Sequence, residues 1–212
     1  MHPNIPVIYE DSQILVVDKP TGIISEDLPA GRQVFLAHRL DKDTSGVIVI
    51  AKTEEVLANL QEQFRGRGVK KEYIALVHGK ISEFGLIDAP IARNPKIYNR
   101  FVIDKAGKLA ATKYEIVKQF DGYTLLNCFP LTGRTHQIRV HLKYINHPIV
   151  SDSQYVGRKI YKLDVVWCPR QFLHAAKIGF NHPETGKWVE FESPLPEDLK
   201  KVLWTMFSYN LQ

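Results

Sequence analysis

The fold is decided by one stretch of the chain, His38-Arg39-Leu40-Asp41-Lys42-Asp43-Thr44-Ser45-Gly46, and by the apolar run Val47-Ile48-Val49-Ile50-Ala51 that follows it. The apolar run is rich in β-branched residues and ends at Lys52, which is typical of a buried strand. The polar residues that precede it are therefore expected in a loop at the mouth of that strand, where side chains are available for chemistry.

Three interpretations of the polar stretch compete. Asp, Thr, Ser and Gly are ordinary turn formers, so a solvated turn without function is the first. A calcium loop is the second, because the residues from Asp41 onward match the first ligand positions, but position twelve is Lys52 where a bidentate Glu is required. The third is a reactive carboxylate, that of Asp41, held beside Arg39. A nearby guanidinium keeps a carboxylate ionised and available as a nucleophile or base.

Composition limits the class of protein. The chain has 212 residues, 24% of them charged and 44% hydrophobic, which fits a single globular domain over residues 1–212, either as one well-filled body or with two lobes. Its formal net charge is +5, and a mild excess of base favours an anionic partner such as nucleic acid. No stretch approaches the roughly 20 apolar residues of a membrane helix. With only Cys128 and Cys168, a disulfide framework is excluded and the cytoplasm is expected.

Hydrophobic periodicity predicts the remaining elements. We expect a hairpin at 7–20, a helix between an N-cap at Thr53 and the glycines Gly66 and Gly68, a strand at 71–79, an antiparallel pair at 111–117 and 122–129, and a terminal helix with Leu203 and Trp204. Residues 22–33 show little periodicity and are predicted to be a loop, and residues 81–108 are predicted to be rich in loops. The basic run 65–71 is either a solvated loop or a contact for RNA phosphates.

A second polar signal lies in residues 132–142, Thr-Gly-Arg-Thr-His-Gln-Ile-Arg-Val-His-Leu. Apolar residues spaced from Ile138 predict a helix with Thr135 as its N-cap. A glycine turn before a helix N-terminus leaves backbone N–H groups for a phosphate or a developing negative charge, and Arg134 and Arg139 strengthen that field. A zinc site with His136, His141, His147 and Cys128 as ligands is disfavoured, because a spacing of five places His136 and His141 on different helix faces and no Cys pair lies nearby.

The two signals together resemble the RluA-type pseudouridine synthases, which isomerise chosen uridines in ribosomal or transfer RNA. Four blocks, together with residues 172–186, carry the resemblance in family order, and the five segments span nearly the whole chain. The four blocks are Asp18-Lys19-Pro20-Thr21-Gly22, the stretch 38–52, Lys71-Glu72-Tyr73-Ile74-Ala75-Leu76-Val77-His78-Gly79, and Gly133-Arg134-Thr135-His136-Gln137-Ile138-Arg139 with its tail to Gly157. Residues 172–186 resemble the last family motif, a strand and hairpin that close the sheet.

The resemblance implies a mixed α/β (α+β) catalytic domain whose largely antiparallel sheet is split by a central cleft. It implies three catalytic residues: Asp41 as the acid, Tyr73 lying over it, and Arg134 in an ion pair with it. A phenol can also stack on uracil and shuttle a proton. The reaction requires no cofactor and no metal.

Four further residues are assigned to substrate binding. They are Arg39, Thr44, Ile138 and Arg139. Arg39 is expected to fill the gap that a flipped uridine leaves in the RNA, and Ile138 to pack near the target base.

The resemblance also carries two departures. Family members often have a small S4-like RNA-binding domain ahead of the first block, and this sequence is expected to lack it, since the block begins almost at residue one. Ser151 stands where members often have glycine, so the geometry of that turn is left open. The expected partner is ribosomal or transfer RNA, and the expected state is a cytoplasmic monomer. An RNA-binding module without catalysis and a hydrolase of nucleosides or glycosidic bonds are the rival functions.

Overall fold

The structure, a computed structural model, describes residues 5–28 and 35–209. Its strands in chain order are β1 (Val7–Glu10), β2 (Ile14–Lys19), β3 (Phe35–Leu36), β4 (Ser45–Ala51), β5 (Lys70–His78), β6 (Gly85–Asp88), β7 (Ile91–Arg93), β8 (Phe101–Ile103), β9 (Ala111–Phe120), β10 (Tyr123–Pro130), β11 (Leu173–Asn181) and β12 (Trp188–Glu192). Its helices are α1 (Glu54–Arg65), α2 (Gln137–Tyr144), α3 (Arg158–Asp164) and α4 (Glu197–Tyr209). Helices beside mostly antiparallel strands confirm the mixed α+β class.

The chain forms two compact units. The first comprises Met1–Glu72 and His174–Leu195, and the second comprises Tyr73–Leu173 and Pro196–Gln212. The boundary therefore falls within β5 and at the start of β11. Both units contain strands and helices. Within 5–28 and 35–209, no helix combines the length and the apolar character needed to cross a membrane.

Strand β4 is central to the sheet of the first unit. Strand β2 pairs with β4 in antiparallel orientation along the whole length of β2, which brings Lys19 opposite Gly46. On the other side, β11 runs parallel to the first residues of β4, with His174 opposite Ser45, and β3 pairs with its last residues. All seven residues of β4 are buried, as the sequence predicted for the apolar run. The hairpin predicted at 7–20 is confirmed as β1 and β2.

Helix α1 confirms the helix predicted after Thr53. The Thr53 hydroxyl caps it by accepting a hydrogen bond from the Val56 N–H at 3.2 Å. Val56 and Leu60 are buried in the core of the first unit. The helix ends at Gly66, but the left-handed residue of its C-terminal turn is Arg67, with φ of 61°, rather than either neighbouring glycine.

The sheet of the second unit has the order β5, β10, β9, β6, and every pair is antiparallel. It confirms the strand predicted at 71–79 and the pair predicted at 111–129. Residues 81–108 are rich in loops, as predicted, but they also contain the short strands β6, β7 and β8, which the sequence analysis did not predict. Strands of three or four residues are too short for alternation to distinguish them from loops, and β7 with β8 forms a separate two-stranded sheet.

Of the four helices in the part of the chain that the structure describes, three were predicted and one was not. Helix α4 confirms the predicted terminal helix, and α2 lies where the second polar signal placed a helix. Helix α3 was missed, because Arg158–Asp164 is only two turns long and carries three cations. The predicted loop 22–33 contains one 3₁₀ turn at Ser25–Asp27, and residues 29–34 lie outside the part that the structure describes.

Ser151 has a left-handed backbone conformation in the turn whose geometry the sequence left open. Its φ is 57°, in the left-handed region where glycine is favoured, and its side chain is buried. Two hydrogen bonds compensate for the backbone strain: the N–H donates to Asp164 Oδ2 at 3.0 Å and the hydroxyl donates to the Cys168 carbonyl at 2.5 Å. Ser151 therefore links the turn that follows α2 to the last residue of α3, Asp164, and to Cys168 in the segment after α3.

This geometry predicts an ordered pair of variants at residue 151. Ser151→Ala should lower the free energy of unfolding by about 1–3 kcal/mol, because it leaves the Cys168 carbonyl without this donor and keeps the strain. Ser151→Gly loses the same bond but relieves a strain of about 1 kcal/mol, so it should be the more stable of the two. Urea denaturation measures both, and an alanine variant as stable as the glycine variant would contradict this account.

Candidate active site

Asp41 begins a tight turn at the mouth of β4. The Thr44 N–H donates to the Asp41 carbonyl at 3.0 Å and closes a four-residue turn. Lys42 and Asp43, at its tip, are exposed, whereas Thr44 and Ser45, at its exit, are buried. Asp41 itself is half-buried. The stretch therefore forms a turn, and this geometry is compatible both with a solvated turn and with a reactive carboxylate on Asp41.

The buried ammonium of Lys19 holds the turn from one side. This side chain has no solvent exposure, and Nζ donates to the carbonyls of Pro20, Ile23 and Lys42 at 3.0, 2.8 and 3.2 Å. Two of these carbonyls lie in the segment after β2, and the third lies next to Asp41. An ammonium has three donors and gains most when each reaches an acceptor. Lys19 therefore ties the end of β2 to the turn.

The segment after β2 adds two more bonds to the turn. The Gly22 N–H donates to the Lys42 carbonyl at 2.8 Å, and the Thr21 hydroxyl donates to the Asp43 carbonyl at 3.2 Å. The first sequence block and the central stretch are thus parts of one hydrogen-bonded structure. The sequence resemblance named the first block but gave Lys19 no role.

The chain that enters the turn is fixed by a serine and a histidine. The buried Ser25 hydroxyl donates to the Leu40 carbonyl and accepts from the Leu40 N–H, both at 3.0 Å. His38 Nε2 accepts from the Val49 N–H of β4 at 2.9 Å. Burial, reinforced by the charge of Lys71, lowers the pKa of His38 to about 3, so the ring stays neutral and able to accept.

Arg39 differs from its expected arrangement. Its Nη1 lies 2.6 Å from Glu26 Oε1, in an ion pair whose side chains are 62% and 47% exposed. The sequence had suggested Asp41 as its neighbour, on the assumption of an extended segment, but residues 37–40 do not form a strand. An ion pair this exposed contributes about 0–1 kcal/mol, so the guanidinium can exchange Glu26 for another anion.

In the second unit, Tyr73 lies near the start of the sheet. It belongs to β5, is half-buried, and stands opposite Cys128 of β10. Cys128 is fully buried, and burial raises the pKa of its thiol to about 12, while the pKa of Cys168 is raised to about 11. Both cysteines are free, but neither is a candidate nucleophile, since the reactive form is the thiolate.

The loop before α2 corrects the predicted cap. The helix begins at Gln137, and its N-cap is His136 in the left-handed region (φ 55°), not Thr135. The Gln137 side chain, rather than a threonine hydroxyl, organises the loop: its Oε1 accepts from the Thr132 hydroxyl at 2.6 Å and from the Arg134 N–H at 3.0 Å. This backbone donor, which the sequence offered to an anion, is therefore already engaged.

Arg134 projects from this loop and is exposed. Its Nε donates to the Leu109 carbonyl at 3.1 Å. That bond occupies one of the five guanidinium N–H groups and fixes the direction of the side chain. The planar fork can still bind a carboxylate or phosphate in a bidentate manner.

Arg139 is buried in an ion pair. Its Nε lies 2.7 Å from Asp152 Oδ2 and its Nη2 lies 2.9 Å from Asp152 Oδ1, with the Tyr155 ring 5.1 Å from the guanidinium carbon. The predicted contribution of this cation to a field at the helix N-terminus is thus largely neutralised by Asp152. Its position indicates that it fastens α2 to the turn at 151–155, and a direct contact with substrate stays a prediction.

The histidines considered for zinc have other partners. His136 Nδ1 bonds to the Tyr155 hydroxyl at 3.0 Å, and His141 is held by Thr112 and by the Ala89 carbonyl. Burial lowers the pKa of His141. In the ranges 5–28 and 35–209, no group of three or more His, Cys, Asp or Glu side chains is arranged to hold a metal ion.

The seven predicted site residues divide between the two units. Arg39, Asp41 and Thr44 share the loop before β4, and Tyr73, Arg134, Ile138 and Arg139 belong to the second unit. Thr44 and Ile138 are 2% and 6% exposed, so each is part of the packing around its loop or helix. The roles assigned to these residues in one reaction stay predictions.

Comparison with known proteins places this arrangement in a family. The family model described as RNA pseudouridylate synthase matches residues 13–144, which contain all seven predicted site residues. The chain belongs to the RNA pseudouridine synthase family. It is therefore an isomerase that acts on RNA, and the resemblance found in the sequence is confirmed.

Similar proteins cover nearly the whole chain. An uncharacterized RNA pseudouridine synthase of Bacillus subtilis is 38% identical over 94% of this chain and 72% of its own length. The ribosomal large subunit pseudouridine synthase D of Nitrosomonas europaea is 39% identical over 93% of the chain and 64% of its own length. Among solved structures, human RNA pseudouridylate synthase domain containing 4 has a TM-score of 0.79 at 25% identity, covering 95% of this synthase and 93% of the human chain.

The three hydrogen bonds from Lys19 Nζ to backbone carbonyls form what we call the Lys19 clamp. Replacement of Lys19 by a side chain of similar length without donors should therefore cause a large loss of stability. Lys19→Met keeps the length of the side chain but removes the donors to three carbonyls, so the free energy of unfolding should fall by about 3–5 kcal/mol. Lys42→Met is the matched control, because the Lys42 side chain is exposed and contributes to the turn only through its carbonyl. It should change stability by less than about 0.5 kcal/mol. Equal stability of the two variants in urea denaturation would refute the clamp.

Proposed function

We propose that this synthase isomerises chosen uridines of ribosomal RNA, with transfer RNA as the alternative substrate, and that it works as a monomer in the cytoplasm. The relatives from Nitrosomonas europaea and Escherichia coli are named for the large ribosomal subunit, which supports ribosomal RNA. Two free, buried cysteines are consistent with a reducing compartment. The observation that carries the mechanism is the closed turn that presents Asp41 at the mouth of β4.

The proposed reaction starts with a uridine rotated out of its stem or loop. Flipping costs a few kcal/mol, which contacts with the RNA backbone offset. Asp41 then acts on the nucleoside, either by attacking the sugar or by abstracting a sugar proton. The freed uracil turns and is rejoined to the sugar through carbon instead of nitrogen. Because substrate and product have the same atoms and electrons, we expect neither a cofactor nor a metal.

The other residues would assist this step. Arg134 would pair with the Asp41 carboxylate, Tyr73 would stack on the uracil, and Ile138 would pack near it. The family match over 13–144 supports these roles, because each residue stands in a block that resembles a family motif. For Tyr73, its half-buried place in β5 leaves part of the ring available.

Arg39 is proposed to fill the gap left in the RNA. Its exposed partner Glu26 holds it only weakly, so RNA phosphates or bases can take the place of the carboxylate. Thr44 and Arg139 are proposed to support substrate binding from within their loops. Since their side chains are buried, their contribution is to hold the backbone that faces the RNA rather than to reach out to it.

Two measurements distinguish a pseudouridine synthase from the two rival functions, a non-catalytic RNA-binding module and a hydrolase. A non-catalytic RNA chaperone would bind RNA without releasing tritium from uridine labelled at carbon 5, whereas a synthase must release it when the new bond to carbon forms. A hydrolase would leave free uracil in the mixture. Comparison of pseudouridine maps of total RNA with and without the gene would identify the substrate.

The proposed role of Asp41 predicts a separation of binding from turnover. Asp41→Asn keeps the shape of the side chain but removes the charge, so RNA should bind with a Kd close to that of the unchanged protein while tritium release falls by at least about 1,000-fold. Asp43→Asn is the matched control. It removes a neighbouring charge from the same turn, where Asp43 is exposed, and should keep its rate within about threefold. Turnover by the Asp41→Asn variant would refute the assignment.

A further inference from the structure

A buried chain of hydrogen bonds in the first unit lies next to the Asp41 turn. Ser45 Oγ lies 3.0 Å from His174 Nδ1, and His174 Nε2 lies 2.9 Å from the Ser193 carbonyl oxygen. The Ser193 hydroxyl donates to Asp18 Oδ1 at 2.8 Å. Ser45, His174 and Ser193 are 3%, 0% and 3% exposed. This chain connects β4, β11, the end of β12 and β2.

The partners determine which nitrogen of His174 carries the proton. The Ser193 carbonyl can only accept, so Nε2 must donate to it. In a neutral ring Nδ1 then has a lone pair, and the Ser45 hydroxyl donates to it. The two nitrogens thus have different roles, because Nε2 anchors the ring to the strand end at Ser193 and Nδ1 holds Ser45.

Ser45 is the residue at which the Asp41 turn joins the sheet. The Thr44 N–H closes the turn by donating to the Asp41 carbonyl. Lys19 Nζ and the Gly22 N–H, at the end of β2 and just after it, both donate to the Lys42 carbonyl in the turn. His174 stands opposite Ser45 in the parallel pair of β4 and β11, and its hydrogen bond to the Ser45 hydroxyl holds the residue at the exit of the turn in place. The backbone of residues 41–45 is therefore held from two sides, and a shift of Ser45 would move the turn that carries Asp41.

We infer that His174 is a positioning residue of this synthase, which sets the place of the Asp41 carboxylate through Nδ1 and the Ser45 hydroxyl. The inference rests on the proposed role of Asp41. Displacement of a reacting group by about 1 Å can reduce a rate by about 100-fold, whereas RNA affinity comes mainly from contacts with the phosphate backbone. Loss of the Nδ1 contact should therefore lower kcat and leave RNA binding unchanged.

Two amide side chains can separate the roles of the two nitrogens. The amide of asparagine reaches the place of Nδ1, and the longer glutamine reaches the place of Nε2. His174→Asn therefore keeps the bond to Ser45 and loses the one to Ser193, while His174→Gln does the reverse. Each variant loses one buried hydrogen bond, so a purely structural histidine would make the two equally impaired.

The test compares kcat, KM and the Kd for RNA of His174→Gln, His174→Asn, Ser45→Ala and the double variant Ser45→Ala/His174→Gln. We expect kcat to fall about 10- to 100-fold in His174→Gln and Ser45→Ala, with Kd unchanged. The double variant should be no slower than either single one, because both remove the same bond. His174→Asn should recover most of the rate.

The matched control is His182→Asn. His182 is a second buried histidine of the same unit, and its Nε2 lies 2.8 Å from Asp11 Oδ2, at the hairpin of β1 and β2. Loss of that bond should lower the Tm as much as His174→Gln does but leave kcat unchanged. Ser45→Ala keeps the test decisive if a histidine variant fails to fold.

Asp41→Asn, measured in parallel, distinguishes the two ways of failing. If that variant still turns over, the proposed function of Asp41 is wrong. If it is inactive and His174→Gln keeps its kcat, or His174→Asn and His174→Gln lose kcat equally, or the loss appears in Kd alone, then the positioning role of His174 is overturned while that of Asp41 stands.

Discussion

A positive charge withdrawn from solvent is the constraint on which the candidate site depends. The ammonium of Lys19 is fully buried, and burial of a charged group is unfavourable unless hydrogen bonds compensate for the loss of water. Three backbone carbonyls provide that compensation, and one of them belongs to the turn that begins at Asp41. The same bonds that stabilise the ammonium therefore fix the backbone of the loop, so that the Asp41 carboxylate, which we propose reacts with the uridine, is placed before RNA arrives.

Burial also decides which arginine has which role. Arg139 and Arg39 were both expected to contact RNA, and each is found in an ion pair with a carboxylate. The pair of Arg139 with Asp152 is bidentate and buried, so breaking it would leave a charge without its partner at high energy. The pair of Arg39 with Glu26 is exposed and weak. The first pair is suited to hold a fold together, and the second is suited to open when a polyanion competes.

The sequence was informative where patterns are long or locally determined. The β-branched run 47–51 predicted β4, because a strand that is buried on both faces needs consecutive apolar side chains. Thr53 predicted the start of α1, because capping depends on neighbouring residues alone. The Asp41 loop followed from the strand, and the resemblance to a family came from blocks whose order is kept along the whole chain.

The sequence failed where distant residues decide. The start of α2 is set by Gln137, whose side chain also reaches the Ala111 carbonyl and so depends on β9, 26 positions earlier. The short strand β6 pairs with the distant β9, and β7 and β8, which pair with each other, are too short to show a strand pattern. Lys19 gave no sign of burial, since lysine is nearly always exposed and its partners at 23 and 42 were not apparent. The hydrogen bond between His174 and Ser45 was not predicted either, because the two residues are 129 positions apart in the sequence.

The rigidity of the Asp41 turn is the central claim, and amide hydrogen exchange of the ¹⁵N-labelled protein measures it most directly. The N–H groups of Gly22 and Thr44 donate to carbonyls of the Asp41 turn, and the Leu40 N–H donates to the Ser25 hydroxyl, although none of these three residues lies in a strand. The account predicts that these three amides exchange as slowly as those of β4, with opening free energies of several kcal/mol. Exchange of these amides at the rate of an unstructured loop, while β4 remains protected, would contradict it.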